Sequence, residues 1–316
     1  MAWHEAVTGF DVLGVTLAFG AIAAALWLFS PAAAASAEGI EIGLRFRTLL
    51  AAALALLTLT SAAVLVGRSI AISGLSLAHV GRVIPLVLHR TDFGRVWIAR
   101  AAAVLLSWAV WRRWNPASKL SSVRLWLLLA LVSVVAFSRS ATGHAGDHGD
   151  FRAAVWIDWL HLLAAGLWGG VIVAFLTAVT PARLRSLDGE KEAAAALLRR
   201  FSRLAAAGLA LAAISGVYKA WQVLGGWRPL WESRYGLILD AKLALAIAMA
   251  LLGASNRFRH VPEAIAALRG SRKENLPPDA FRGLISTAAA EAVLWLCILA
   301  AVALLLHAMP PTASPS

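Results

Sequence analysis

The stretch GHAGDHGDFRAAVWIDWLHLLAAGLWGG, residues 143–170, places a polar loop directly before a long apolar segment. Its first half is rich in glycine and charge, which predicts a loop. Its second half carries Asp158 and His161 into the apolar segment, where ionisable groups are costly and mark a candidate functional site. Gly166 and Gly170 form a pair of small residues that predicts close approach of another helix.

The rest of the chain has the composition of a membrane protein. Of its 316 residues 60% are hydrophobic and the mean hydropathy is +0.74, whereas soluble domains are about 45–50% apolar. Several runs of about 20 residues carry almost no charge, which is the length that a helix needs to cross about 30 Å of hydrocarbon. We therefore predict an all-α fold, a polytopic transmembrane helical bundle.

The apolar runs predict eight spanning helices. They cover roughly residues 8–29, 48–67, 94–111, 122–140, 154–179, 201–223, 236–255 and 284–307. The stretch 69–90 is also apolar, but Gly74 and Pro85 interrupt it, so we predict an interfacial or re-entrant segment there. We divide the chain into N-terminal membrane helices, residues 1–140, and a second membrane domain, residues 141–316.

The end of the first span, SPAAAASA at residues 30–37, resembles the cleavage region of a signal peptide. The segment before this span has no positive charge, and the apolar run is too long for a signal peptide. We therefore expect the first span to be a retained membrane helix.

Lysine and arginine are distributed unevenly between the loops. The loops that follow odd-numbered spans hold more than twice the Lys and Arg of those that follow even-numbered spans. Because positive loops stay in the cytoplasm, we predict a bacterial inner-membrane protein with both termini and the 143–153 loop on the periplasmic side. Membrane topology therefore explains the net charge of +12, and we expect the lipid bilayer, not nucleic acid, as the partner of these charges.

In this orientation all the histidines except His260 lie on or near the periplasmic side. Imidazoles with a few carboxylates and no thiolate cluster suit copper, zinc, iron or nickel. His144 and His148 are four residues apart in the predicted loop, and His161 lies about 10 Å into its span at 1.5 Å per residue. Asp158 is three residues earlier on the same helical face, so we expect it to orient the imidazole of His161.

Two further metal sites are predicted at the ends of the chain. His307 and Met309 place an imidazole and a thioether two residues apart, and a thioether favours Cu(I). If Met1 is removed, His4 becomes the third residue from a free amine. The amine, two amides and the imidazole then make a square-planar nitrogen set of the kind that Cu(II) prefers.

Each of these groups also has a structural interpretation. The loop histidines are then solvated, His161 with Asp158 is a polar pair between helices, and His307 is an interfacial residue. Charged residues near the predicted periplasmic helix ends are pathway groups or, alternatively, a structural ion-pair network: Lys219, Asp240 and Lys242.

Several other features narrow the class of protein. The single cysteine, Cys297, excludes an internal disulfide and a CxxC site, and we expect it to fill space in the core. The chain has no GxxxxGK[ST], HExxH or GxSxG motif, so we predict that it is not an enzyme. No internal repeat is plain in the sequence.

An ordered series of short motifs resembles the copper resistance protein D (CopD) family. The motifs are FGRVWIAR at 93–100, GHA at 143–145, DWLHLLAAGLWGG at 158–170, RRFSRLA at 199–205, ISGVYKAW at 214–221, RYGLILDAKLAL at 234–245, ASNRF at 254–258, Glu291 and MPP at 309–311. The resemblance covers most of the chain.

The resemblance implies an inner-membrane protein that takes copper ions from the periplasm inward through a histidine-lined bundle. The expected copper ligands are His144, His148 and His161, with His307 and Met309 as further ligands. The resemblance also implies a small periplasmic copper-binding partner of the copper resistance C type. Because the chain contains no such domain, we expect that partner to be a separate protein.

Two alternatives remain open at this point. The first is a haem-binding membrane redox protein, because the bacterial protoporphyrinogen oxidase type resembles part of this family and uses a histidine and a lysine in adjacent helices. His161, Lys219 and Lys242 are the residues that would serve here. The second is an assembly factor that delivers copper to a respiratory oxidase without net transport.

Overall fold

The computed structural model describes most of the chain. The described residues are 2–28, with only the backbone for 2–5, and 36–118, 121–143, 153–180, 183, 191–224, 226, 228–270 and 281–305. His144, His148, His307 and Met309 lie outside them, and His4 lies where only the backbone is described.

The regular elements in the described residues are helices. In chain order they are α1 (Ala2–Trp27), α2 (Ala37–Ser73), a 3-10 turn (Val80–Arg82), α3 (Ile84–Arg90), α4 (Asp92–Arg113), α5 (Ser121–Ala141), α6 (Ala153–Ala165), a first π-helix (Gly166–Gly170), α7 (Val171–Ala178), α8 (Lys191–Leu224), α9 (Pro229–Glu232), α10 (Arg234–Ser255), a second π-helix (Asn256–His260), α11 (Val261–Gly270) and α12 (Arg282–Leu305).

Eight of these helical stretches are long and apolar enough to cross a membrane, which confirms the predicted all-α bundle. They are Ala6–Trp27, Ala37–Ser73, Asp92–Arg113, Ser121–Ala141, Ala153–Ala178, Lys191–Leu224, Arg234–Gly270 and Arg282–Leu305. The chain is therefore a multi-pass membrane protein.

Three spans are longer than predicted, because hydropathy marks only the part of a helix that faces hydrocarbon. The second, sixth and seventh spans have 37, 34 and 37 residues. At 1.5 Å per residue they are about 50 Å long, which exceeds the roughly 30 Å of the hydrocarbon core. Their polar ends continue as helix because Ala, Glu, Lys and Arg favour helix outside the bilayer as well.

The stretch 69–90 is broken, as the sequence predicts. Helix α2 ends at Gly74, whose φ of 68° lies in the left-handed region and whose N–H donates to the carbonyl of Ile70. Helix α3 starts with proline in its first turn and has only 7 residues, too few to cross a bilayer. Its interfacial placement, and the division of the chain at residue 140, stay predictions.

Helix α1 and the fifth span form the centre of the bundle. Of the most apolar window of α1, 67% is buried inside the protein, and for the fifth span the share is 61%. Helix α1 contacts α2, α5, α7, α12 and the first π-helix. The other spans turn much of their surface outward, where lipid covers apolar side chains.

Cys297 of α12 is likewise exposed, so the expectation that it fills the core was wrong.

Glycines bring α1 and the fifth span into backbone contact. A Cβ built at Gly20 would overlap the backbone of Gly170, and one built at Gly170 would overlap the carbonyl oxygen of Thr16. A Cβ at Gly166 would lie 3.1 Å from the same oxygen. The close helix approach predicted for Gly166 and Gly170 is therefore confirmed.

Both π-helices pack against α12. The first leaves room for an indole, because a Cβ at Gly169 would overlap the side chain of Trp295. In the second, the side-chain amide of Asn256 donates to the carboxylate of Glu291, one turn before Trp295. Such π-helical turns are rare and often accompany functional sites, and here both pack on the same helix, α12.

We predict that Gly170→Ala destabilises the protein. Alanine improves helix propensity by about 1 kcal/mol, but the added methyl meets backbone atoms that cannot move aside, and overpacking costs about 1–3 kcal/mol or more. The measurement is the thermal unfolding midpoint of the detergent-purified protein. The control is Gly81→Ala, where no heavy atom lies within 4 Å of the added carbon. A Gly170→Ala midpoint at or above that of the wild type would contradict the close crossing.

Candidate functional site

Polar side chains from three helices meet around His161. Helix α6 supplies Asp158 and His161, α8 supplies Ser215 and Lys219, and α10 supplies Lys242. These five residues form the second-half cluster, near the helix ends that are predicted to face the periplasm.

The imidazole of His161 is held by a serine on the neighbouring helix. His161 Nδ1 lies 2.9 Å from Ser215 Oγ, and that hydroxyl donates its single proton to the carbonyl of Leu211 at 2.6 Å. Since the hydroxyl proton is used, Ser215 Oγ accepts from the Nδ1–H of the ring. The neutral imidazole therefore has its free lone pair on Nε2, the form in which histidine binds a metal.

The carboxylate of Asp158 forms an ion pair with Lys219 of α8. The side chains are 28% and 35% exposed. The structure thus differs from the expected contact, because Ser215 and not Asp158 holds the Nδ1 of His161. A carboxylate bonds more strongly to an ammonium than to a neutral imidazole, and Lys219 is 61 positions away in the sequence, where local spacing cannot reveal it.

Lys242 belongs to the same cluster but is not bonded in it. It lies close enough to interact electrostatically with Asp158, Lys219 and His161, yet within the described part of the chain it forms no salt bridge. Asp240 is half-buried two residues earlier, on a different face of the helix. Among the described residues Asp240 has no hydrogen bond or salt bridge, so the structure does not join this predicted pathway residue to the cluster.

Sequence reasoning missed Ser215 and Gly216. A Cβ built at Gly216 would lie 3.2 Å from His161 Cε1, so glycine leaves room for the imidazole ring. The signal was present in the motif ISGVYKAW at residues 214–221, where Ser215 and Lys219 are four residues apart and share a helical face.

A second group of buried charges lies in the first half of the chain. Asp11 is 1% exposed and forms an ion pair with Arg100. Thr60 donates to its Oδ1 at 2.8 Å, and Arg139 Nε is 3.7 Å from its Oδ2. Arg100 Nε also donates to Ser61 Oγ at 2.8 Å. This first-half cluster joins α1, α2, α4 and α5.

The structure brings no complete metal site together in the part that it describes. Among those residues no three His, Cys, Asp or Glu side chains converge as a metal ion would require. Of the metal ligands predicted from the sequence, His161 alone has a described side chain.

Two family models match the chain. The Copper resistance protein D-like, N-terminal domain model matches residues 6–153, and the Copper resistance protein D model matches residues 195–305. Ser215, Lys219 and Lys242 lie inside the second match, whereas Asp158 and His161 lie between the two.

Two curated proteins are similar to parts of the chain. Copper resistance protein D of Pseudomonas syringae pv. tomato is 33% identical over 179 residues, 55% of this chain and 56% of that protein. Copper transport protein CutJ of Bacillus subtilis (strain 168) is 30% identical over 172 residues, 53% of this chain and 30% of that protein. The chain thus spans about half the length of the first relative and under a third of the second. No solved structure matches the chain.

We predict that Asp158→Asn lowers the stability of the protein. The change leaves Lys219 and Lys242 facing each other without a counter-charge. Removing one partner of a fully buried pair costs about 3–5 kcal/mol, and because these side chains are about a third exposed we expect only part of that loss. Asp240→Asn is the matched control, because it removes a carboxylate that has no described polar partner. Thermal unfolding of the two purified variants measures the difference. Equal midpoints would contradict the central place of Asp158 in the cluster.

Proposed function

The chain belongs to the copper resistance protein D family, and from that premise we propose that it carries copper inward across a bacterial inner membrane, with His161 as a ligand inside the bundle. The family is one of copper-handling membrane proteins, and the relatives are named for copper resistance and copper transport. The direction of movement, the membrane and the ligands are our proposal.

The observation that carries the proposal is the hydrogen bonding of His161. A neutral imidazole with a free nitrogen is a good ligand for copper, and the Ser215 bond fixes the orientation of the ring and the tautomer that leaves Nε2 free. A single protein ligand at this depth suits a carrier. One ligand alone binds an ion less tightly than a complete set does, and an ion that is to move on must be able to leave.

The cluster charge favours Cu(I) as the cargo. Two lysines and one aspartate surround the imidazole, so the local charge opposes an entering cation. By Coulomb's law a monovalent ion meets about half the repulsion that a divalent ion meets at the same distance. We therefore propose that copper passes His161 as Cu(I).

Capture of copper would precede this step. We propose that His144 and His148, which come just before α6 in the chain, receive the ion on the periplasmic side. His4, His307 and Met309, near the two chain ends that the topology places on that side, are the other proposed ligands. A separate periplasmic copper-binding protein of the copper resistance C type is the proposed donor.

Haem binding is the second candidate function, because the structure brings His161 close to Lys219 and Lys242 as that alternative requires. A Soret band in the purified protein that disappears in His161→Ala would favour haem over copper.

Copper movement into vesicles that contain only this protein would separate transport from delivery to a respiratory oxidase.

We predict that cells expressing His161→Ala accumulate less copper than cells expressing the wild type. The change removes the nitrogen ligand inside the bundle, whereas Ser215→Ala removes only the bond that orients it and should give an intermediate loss. The measurement is cellular copper per amount of membrane-inserted protein.

His79→Ala is the matched control. His79 also lies on the predicted periplasmic side, but it is exposed and its Nδ1 lies 3.0 Å from Ser76 Oγ, away from the cluster. This variant should accumulate copper like the wild type. Equal accumulation by His161→Ala and His79→Ala, at equal protein levels, would contradict the role of His161.

A further inference from the structure

The two halves of the molecule have the same order of elements. Each half begins with a central helix, followed by a long second helix and a short helix with proline in its first turn. The fourth helix, called the capped helix below, starts at a residue whose hydroxyl accepts a hydrogen bond from the first turn, and a final helix ends the half. In the first half these are α1, α2, α3, α4 and α5. In the second half they are α6–α7, α8, α9, α10 and α12. In both halves the first helix packs on the second, and the capped helix packs on the final one.

The junction between the short helix and the capped helix is repeated in atomic detail. Thr91 and Ser233 are the N-cap residues of α4 and α10, and both have extended backbone, with φ near −118° and ψ near 150°. Their hydroxyls accept from the N–H groups of Gly94 and Gly236 at 3.0 and 2.9 Å. Each residue of the second half lies 142 positions after its counterpart.

The same steric constraint requires glycine at both junctions. A Cβ at Gly94 would overlap the carbonyl oxygen of Val87, and a Cβ at Gly236 would overlap that of Pro229. Thr91 and Ser233 donate to the same two carbonyls at 2.6 Å. The spacing of 142 positions holds for these pairs as well. The two corners make the same hydrogen bonds between equivalent positions, so the corner is one structure used twice.

This register pairs a buried arginine with a half-buried lysine. Arg100 is six residues beyond Gly94, and Lys242 is six residues beyond Gly236. Each half also has an aspartate on its first helix, Asp11 or Asp158, that is bonded to a cation. With four spans in each half, both units cross the membrane in the same sense, which is the arrangement of parallel repeats.

The halves differ in which cation holds the aspartate. In the first half Arg100, on the capped helix, bonds to Asp11. In the second half Lys219, on the long helix, bonds to Asp158, and the capped-helix residue Lys242 is near the carboxylate but not bonded to it. The second half thus has two lysines for one carboxylate.

We propose that the chain is a tandem duplication of one four-helix unit, and that Lys242 is the counterpart of Arg100, a positioning residue that takes Asp158 when Lys219 releases it. A lysine ammonium is a point charge on a flexible stem, whereas the guanidinium of Arg100 makes several bonds in a fixed plane. The first-half pair is therefore permanent, and the second-half carboxylate exchanges between α8 and α10.

The exchange has a direct consequence for the site. Asp158 is one turn before His161 on α6. An ion pair with Lys219 links α6 to α8, whereas an ion pair with Lys242 links α6 to α10. This inference is independent of copper, because it concerns only the charges of the chain.

A rescue experiment tests the exchange on the full-length, purified protein in the absence of copper. In Lys219→Met, Lys242 pairs with Asp158 instead, so we expect the thermal unfolding midpoint to fall by less than about 5 °C. The double variant Lys219→Met with Lys242→Met leaves the carboxylate unpaired, and its midpoint should fall by at least about 10 °C. Lys219→Met with Lys242→Arg copies the first-half arrangement and should restore the midpoint to that of Lys219→Met or above.

Two results would overturn the proposal. One is a midpoint of Lys219→Met as low as that of the double methionine variant, which would mean that Lys242 does not reach Asp158. The other is the absence of recovery with arginine at position 242. Lys242→Met alone keeps the Lys219 pair and should stay folded, which verifies that position 242 tolerates methionine. Because no copper is present, failure here leaves the transport proposal standing.

Discussion

The backbone contact between α1 and the fifth span, at Gly20 and Gly170, is the constraint on which the rest of the bundle depends. No side chain fits at Gly20 or Gly170, so the two halves of the protein are joined where their first helices cross. The same crossing sets the position of α6, and with it the depth of His161. Since lipid is as apolar as the protein surface, close packing of small residues replaces the hydrophobic effect as the force that joins helices here.

The charged residues follow from a second constraint, because a carboxylate inside an apolar bundle is stable only with a partner. The first half meets this requirement with a closed cluster, in which Asp11 has two arginines and a threonine. The second half meets it with a looser one, in which Asp158 has one bonded lysine and a second nearby. A neutral imidazole is added only there. We propose that the first-half cluster serves stability and that the second-half cluster holds the ligand.

The sequence predicted the features that hydropathy and local spacing determine. The eight spans, the break after Gly74 and the close approach at Gly170 are of this kind. The partner of Asp158 was predicted wrongly. Lys219 is 61 positions away in the sequence, and no local pattern around either residue indicates that they pair. The proposed repeat was not recognised from the sequence because the two halves share only corner residues and a cation, and these stand out only through their matching hydrogen bonds. The π-helices arise from packing against α12, which local patterns do not show.

Whether copper binds the imidazole nitrogen of His161 can be measured by X-ray absorption at the copper K-edge on purified, copper-loaded protein. We expect a Cu(I) edge with scattering from an imidazole in the wild type, and loss of the contribution of that ligand in His161→Ala. An identical spectrum and copper content in the two proteins would contradict it.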